Sequence, residues 1–280
     1  MDEICNLFQG SQVANELEAY LLGFFYADGC VSGFSSGKYR VFSIALAEKD
    51  KEYLQWMANV INQYLHTDYK LKYTADTKSY RLYIGKKDFI SNIIKLGIIN
   101  NKTYENNDFV FKNVPDSLKW HFIRGYFDGD GSICCSKTGK HIANFVSLNQ
   151  VLIKSIYDYC NSYLHCGSIR KDQKYYRFCL SGNPSVRCFG EYLYKDANYF
   201  MERKKVNFDN IVVYHKNNIY AGILPYRNKY KVSIWNKNIK QRIYLGLRET
   251  VKDAVELYNN NCEYCNQAKQ QYKGEELYYE

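Results

Sequence analysis

Proline is scarce, 3 residues in 280, which excludes a proline-rich or collagen-like array. Long apolar runs are missing as well. The longest charge-free apolar stretch, Ala19 to Ala27, falls far short of the roughly 20 residues that a bilayer-spanning helix needs, so no membrane association is expected. The first residues, MDEICNLFQG, lack the basic and apolar stretches of a secretory signal, so a soluble intracellular protein that is not secreted is expected. In that setting the 10 scattered cysteines, two of them adjacent (Cys134, Cys135), are expected as reduced thiols. Cys262 and Cys265 form a C-x-x-C without a second ligand pair, which reads as two buried helical thiols rather than a zinc site. Acidic charge is in deficit, 29 Asp and Glu against 38 Lys and Arg, for a net charge of +9. Such an excess suits a polyanion, and the 29 tyrosines add planar surfaces for bases and sugars. Composition alone leaves both a nucleic-acid partner and an ordinary basic enzyme open.

The strongest feature present is an internal repeat. Residues 17–31 read LEAYLLGFFYADGCV and residues 119–133 read KWHFIRGYFDGDGSI. Both hold the frame Gly-aromatic-Phe-x-small-Asp-Gly, at an offset of 102 residues between Asp28 and Asp130. SYRLYIG (79–85) and YYRFCLSG (175–182) match at nearly the same offset, 96 between Arg81 and Arg177. Two matches in one order argue for a duplicated unit of about 100 residues. In each unit an apolar helix is expected to end at Asp-Gly, with the glycine left-handed. Strands are expected at Arg40–Ala45 and His141–Val146, and amphipathic helices at Lys51–Leu65 and Val151–Leu164. Strand pairs follow at Lys70–Tyr73 with Arg81–Ile84, and at Gly167–Lys171 with Tyr176–Leu180, and closing helices near Asp88–Leu96 and Ser185–Tyr194. Pro115 marks the junction.

Small residues four apart, Gly23 with Ala27 and Gly125 with Gly129, let two helices approach backbone to backbone. If the motif helices pack together, Asp28 and Asp130 emerge side by side at one level. Two such carboxylates repel unless a cation joins them, and hard oxygen ligands with open water positions suit Mg²⁺. Such a centre can orient water and polarise a scissile phosphate. A single apolar helix ending in Asp-Gly is ordinarily only a capped core helix; the matched pair is what points to chemistry.

The motifs LLGFFYADG (21–29) and IRGYFDGDG (123–131) resemble the paired signatures of single-chain LAGLIDADG homing endonucleases, a likeness covering roughly residues 15–210. The resemblance implies an α+β fold: duplicated αββαββα halves at 1–113 and 114–212, related by a pseudo-two-fold axis, with saddle-shaped antiparallel sheets on DNA. It further implies a monomeric endonuclease that cuts both strands of double-stranded DNA with Mg²⁺, or Mn²⁺ in its place. The eighth motif position carries the metal-binding carboxylate, here Asp28 and Asp130. The sixth is Tyr26 in the first motif, where the second keeps Asp128, and the tyrosine is expected to be tolerated. A lysine late in each half is implied near the metal: Lys102, and Lys204 or Lys205. Glu48, or Ser147 with Asn149, could organise water. With a Met start and no terminal His-Asn, no protein splicing is expected. A non-cleaving binder, either an intron RNA maturase or a transcriptional regulator, is the rival reading.

From Ile219 to Arg248 there are seven basic residues and no acidic one. Three strands are expected, Tyr220–Leu224, Tyr230–Trp235 and Arg242–Leu245, then a helix capped by Thr250, forming a domain at 219–280 beyond a boundary near 211–218. Alternation puts Tyr230, Val232 and Ile234 on one face and Lys231, Ser233 and Trp235 on the other. The segment is similar to the APETALA-type (ethylene-response-factor-type) DNA-binding domain. That resemblance implies a three-stranded sheet entering the major groove, with Arg227, Ser233, Trp235, Arg242 and Tyr244 as readers. Lys229 and Lys231 add cations beside them.

Overall fold

The computed structural model describes residues 7–10, 12–33, 41–136, 139–211 and 220–272, the side chain of Thr103 excepted. The chain forms two compact units, 1–134 with 141–211 and 135–140 with 212–280. Both halves of the repeat therefore lie in the first unit. Apart from Ile211, the boundary expected near 211–218 lies outside the described residues.

In the first half α1 (Glu16–Asp28) starts where the Asn15 side chain accepts from the Glu18 amide at 3.0 Å. Leu17 to Tyr26 are all buried, so this helix is surrounded by core rather than lying on it. Then come β1 (Gly29–Ser32), β2 (Val41–Ala47), α2 (Lys51–Leu65), β3 (Lys72–Thr74), β4 (Ser79–Ile84) and α3 (Lys87–Lys95). The strands make one sheet in the order β1-β2-β4-β3. The short α4 (Phe109–Lys112) leads to the second half: α5 (Lys119–Asp130), β5 (Ser132–Cys135), β6 (His141–Ser147), α6 (Gln150–Leu164), β7 (Ser168–Asp172), β8 (Tyr175–Ser181) and α7 (Asn183–Tyr194). Its sheet repeats the order, β5-β6-β8-β7, and α8 (Glu202–Asp209) follows. Phe25 and Phe127, matched in the repeat, each anchor a motif helix to its own sheet: Phe25 meets Phe42 at 4.8 Å and Phe127 meets Phe145 at 5.3 Å between ring centroids.

Two local expectations need correction. Gly29 (φ −79°) and Gly131 (φ −72°) are extended, not left-handed, because each motif helix runs straight into a strand. Glycine is required there by crowding: a Cβ would lie 2.5 Å from Phe25 O at Gly29 and 2.6 Å from Phe127 O at Gly131. The left-handed caps fall instead on histidines, His66 (φ 52°) after α2 and His165 (φ 49°) after α6.

The second unit has β9 (Ile223–Tyr226), β10 (Lys229–Asn236) and β11 (Gln241–Arg248) in the order β11-β10-β9, followed by α9 (Val251–Cys262). The first strand begins three residues later than expected. Gly222 is left-handed (φ +75°), and a Cβ on it would collide with Ser233 O. Thr250 caps α9, accepting from the Asp253 amide at 3.1 Å. Val232, Ile234, Ala254, Val255, Tyr258, Cys262 and Cys265 are part of this unit's core; the two cysteines are buried and free, but only Cys262 is helical, Cys265 lying in the turn beyond α9. Among the described residues no helix is long and apolar enough to cross a membrane.

Candidate active site

The site begins with glycines. A Cβ on Gly23 would collide with Phe122 O and lie 2.8 Å from Tyr126 N; one on Gly125 would collide with Tyr20 O and lie 3.0 Å from Phe24 N. The two glycines thus do not face each other. Each sits in the backbone groove of the opposite helix, which brings α1 and α5 into direct contact. Farther along, a Cβ on Gly129 would collide with Ala27 Cβ and lie 3.0 Å from Asp28 Oδ2. All four interface residues are where the repeat put them, and the Asp28 carboxylate rests against the residue next to Asp130.

Asp28 is half-buried while Asp130 opens to solvent. Desolvation first, and the Asp130 charge second, lift the Asp28 pKa to about 7 against the pull of Lys204 and Lys102. Asp130 is also raised by partial desolvation, again opposed by Lys102 and Lys204. Among the described residues no three His, Cys, Asp or Glu side chains converge. Two mutually repelling carboxylates fit a hard dication that draws its other ligands from water and phosphate.

Lys102 and Lys204 are not solvated surface lysines; both are buried. Lys102 Nζ donates to Gly29 O at the end of α1. Lys204 Nζ donates to Phe127 O (2.5 Å) and Gly131 O (2.8 Å) at the end of α5. The two ammonium groups cap the negative ends of the two motif helices, the favourable place for a cation. Burial lowers both pKa values, that of Lys204 to about 8. Lys205 instead pairs with Asp209 at 2.6 Å, which separates the two candidates of the second half.

The sixth motif positions and the residues expected to organise water take defined places around the site. Asp128 is buried; its Oδ2 accepts from the Tyr20 hydroxyl (2.8 Å) and Met201 N (2.7 Å). Tyr26, also buried, donates to Lys102 O (3.3 Å) and accepts from Asn149 Nδ2 (3.0 Å). Asn149 caps α6 and also donates to Asn107 O at 2.7 Å, so it clips chain segments together rather than ordering water. Ser147 is buried beside it and accepts from Asn149 N at 3.1 Å, whereas Glu48 is exposed. Asp50, two residues on from Glu48, is buried and forked onto Arg203 at 2.7 and 3.0 Å.

On the sheet faces turned from the helices, like charges oppose each other across strands. Lys72 pairs with Arg81, and Arg170 with Arg177. Directly opposed cations destabilise a sheet unless an anion lies over them. Arg81 Nε is buried without a partner among the described residues, while Arg177 reaches Asp172 at 3.2 Å.

Comparison with known proteins follows the same division of the chain. Residues 15–96 match the model of a LAGLIDADG-like domain, and residues 119–189 that of a WhiA LAGLIDADG-like domain. This is a protein of two LAGLIDADG-like domains. No curated protein sequence matches it. Among solved structures it is similar to the homing endonuclease I-WcaI bound to its DNA recognition sequence, with 12% identity over 71% of this chain and 88% of that one and a TM-score of 0.51. It is also similar to I-AabMI bound to uncleaved DNA (16% identity, 70% and 88% covered, TM-score 0.47) and to I-LtrWI bound to target DNA (15%, 69% and 90%, 0.45). At this identity I-WcaI speaks for the LAGLIDADG fold alone.

In the second unit, Arg227, Lys229, Lys231, Trp235, Arg242 and Tyr244 are exposed. Trp235 lies opposite Arg242 across the strands, and Lys231 stands 5.5 Å from the Tyr244 ring. Ser233 is a correction. It is buried under the chain at Gly222, whose carbonyl accepts from both its amide (2.7 Å) and its hydroxyl (3.4 Å), so it cannot read a base. Lys229 is held by Glu249 in an ion pair.

Proposed function

We propose that this protein is a site-specific endonuclease that cuts both strands of duplex DNA. One observation carries the proposal: two carboxylates, Asp28 and Asp130, meet where glycine-packed helices end, with a buried lysine behind each. Asp28 and Asp130 would hold Mg²⁺, with Mn²⁺ able to replace it. Bound there, the ion would polarise the scissile phosphate and orient the attacking water. Lys102 and Lys204 fix the ends of the motif helices and lend positive charge where phosphate charge develops. Lys72 with Arg81, and Arg170 with Arg177, would seat the phosphates of the two half-sites. Both aspartates belong to one chain, so a monomer suffices.

The second unit adds an APETALA-like sheet that would lay Arg227, Lys231, Trp235, Arg242 and Tyr244 into a groove as an additional DNA anchor. A second reading, a non-cleaving nucleic-acid binder, is favoured by the match of residues 119–189 to the WhiA kind of domain.

Incubation with the host locus rejoined without this gene separates the two. With Mg²⁺ a single double-strand cut is expected. Asp28→Asn or Asp130→Asn should abolish it while largely retaining binding, because phosphate and base contacts lie elsewhere. Near wild-type cutting by either variant would rule out the shared carboxylate centre. Tight binding with no cut under any divalent ion would establish the binder.

A further inference from the structure

Tyr26 and Asp128 occupy the same position of the two motifs, both buried, yet they bind groups of opposite polarity. Tyr26 donates its hydroxyl hydrogen to the carbonyl of Lys102 itself (3.3 Å). Asp128 accepts from the amide of Met201 (2.7 Å), the N-cap of α8, whose carbonyl accepts from Lys204 N at 2.9 Å. Each residue therefore fastens the backbone that carries its half's lysine: a phenol where a C=O is presented, a carboxylate where an N–H is presented. Each is braced by one further group, Asn149 for Tyr26 and Tyr20 for Asp128.

We infer that Tyr26 and Asp128 are positioning residues, each holding the lysine of its own half against the end of its motif helix. The inference rests on the endonuclease reading for what the lysines do. It also means that an acid cannot stand in for Tyr26. An aspartate there would turn an acceptor toward Lys102 O, acceptor against acceptor in a buried space. The two halves thus differ in hydrogen-bond polarity at a place where their motifs are otherwise superimposable.

Strand-resolved cleavage of the same rejoined locus tests this, together with amide exchange in the DNA-free protein. Lys102→Met and Lys204→Met first define which strand's cut each lysine governs. Tyr26→Phe keeps the ring and removes only the hydroxyl. It should reproduce the strand profile of Lys102→Met, slowing the affected cut about 10- to 100-fold through misplacement of the lysine. It should also speed exchange of the Glu105 amide, which shares Lys102 O at 3.2 Å. Asp128→Leu should reproduce the Lys204→Met profile and expose the Met201 amide. Asp128→Asn keeps an acceptor oxygen and should recover most of both.

If Asp128→Leu does not fold, Tyr26→Phe decides alone. A Tyr26→Phe protein with wild-type rates on both strands, or one that follows the Lys204→Met profile, overturns the inference. A wild-type protein that cuts neither strand overturns the endonuclease reading instead. The Glu105 and Met201 amides then test the clamps by themselves, and unchanged exchange in the variants overturns them.

Discussion

Among the described residues Arg124 is the largest fully buried side chain, and it stands in the buried middle of a motif helix. It donates to Tyr199 O (2.7 Å), Leu193 O (2.8 Å) and Glu16 Oε1 (2.6 Å), one bond from each guanidinium nitrogen. Glu16 also accepts from Asn198 N (2.8 Å) and Asn198 Nδ2 (2.7 Å), tying the start of α1 to the end of the second half. Desolvation pushes the Glu16 pKa up, but the Asn198 bonds and the Arg124 charge outweigh it and hold the pKa below its ordinary 4.5. Because the folded value is the lower one, the carboxylate adds stability above pH 4.5, and that share is lost as pH falls through the folded pKa. Glu16→Gln should therefore cost about 3 kcal/mol near neutral pH, since a buried guanidinium loses its counter-charge. It should also flatten the fall in stability below pH 4.5. Urea midpoints measured across pH check both; parallel curves for wild type and variant would sink the account. An arginine within the motif is a visible signal in the sequence, but its partners lie 69 to 108 residues away and no local pattern announces them.

At the scale of elements, the helix pair decides the site. Added bulk at Gly125 meets the Tyr20 carbonyl and the Phe24 amide, and backbone cannot move aside as a flexible side chain can. Overpacking costs about 1–3 kcal/mol in ordinary cores and more against backbone. A shift near 1 Å at the helix ends costs on the order of 100-fold in rate. Gly125→Val should accordingly lower the melting temperature and abolish cleavage together. Gly85, with nothing within 4 Å of an added Cβ, is the control, and Gly85→Ala should stay within about 0.5 kcal/mol of wild type. A stable, active Gly125→Val protein would mean that the helices do not pack in this way. The repeat of small residues made this contact legible beforehand. It could not say that each glycine docks between residues of the other helix, because that offset depends on how the two helices cross.

For the whole molecule, the charge distribution sets the expectation. A chain ending at residue 212 keeps α1, α5 and both four-stranded sheets, so it should fold and still cut. It loses the seven cations of residues 219–248, and each phosphate contact among them contributes about 0.9 to the slope of log affinity against log salt. Binding should weaken and its salt dependence become shallower, as titrations at several salt concentrations would reveal. A truncated chain that folds yet binds with the full-length slope would show that the basic sheet makes no phosphate contact.

The duplicated frame by itself determined the helix pair and the two aspartates at its end, because glycine spacing and a terminal Asp-Gly encode backbone approach locally. Alternation also determined most of the exposed face of the second unit. Only the tertiary structure decided which lysine reaches the end of the second motif helix, since Lys204 and Lys205 are neighbours and α8 turns just one of them onto the end of α5. It alone removed Ser233 from the exposed face, because Gly222, eleven residues earlier, folds its carbonyl onto the Ser233 amide and hydroxyl. It alone gave Tyr26 and Asp128 their partners. Those bonds join residues 73 to 123 positions apart, and hydrogen-bond polarity across such distances is settled where the chain brings donors and acceptors together.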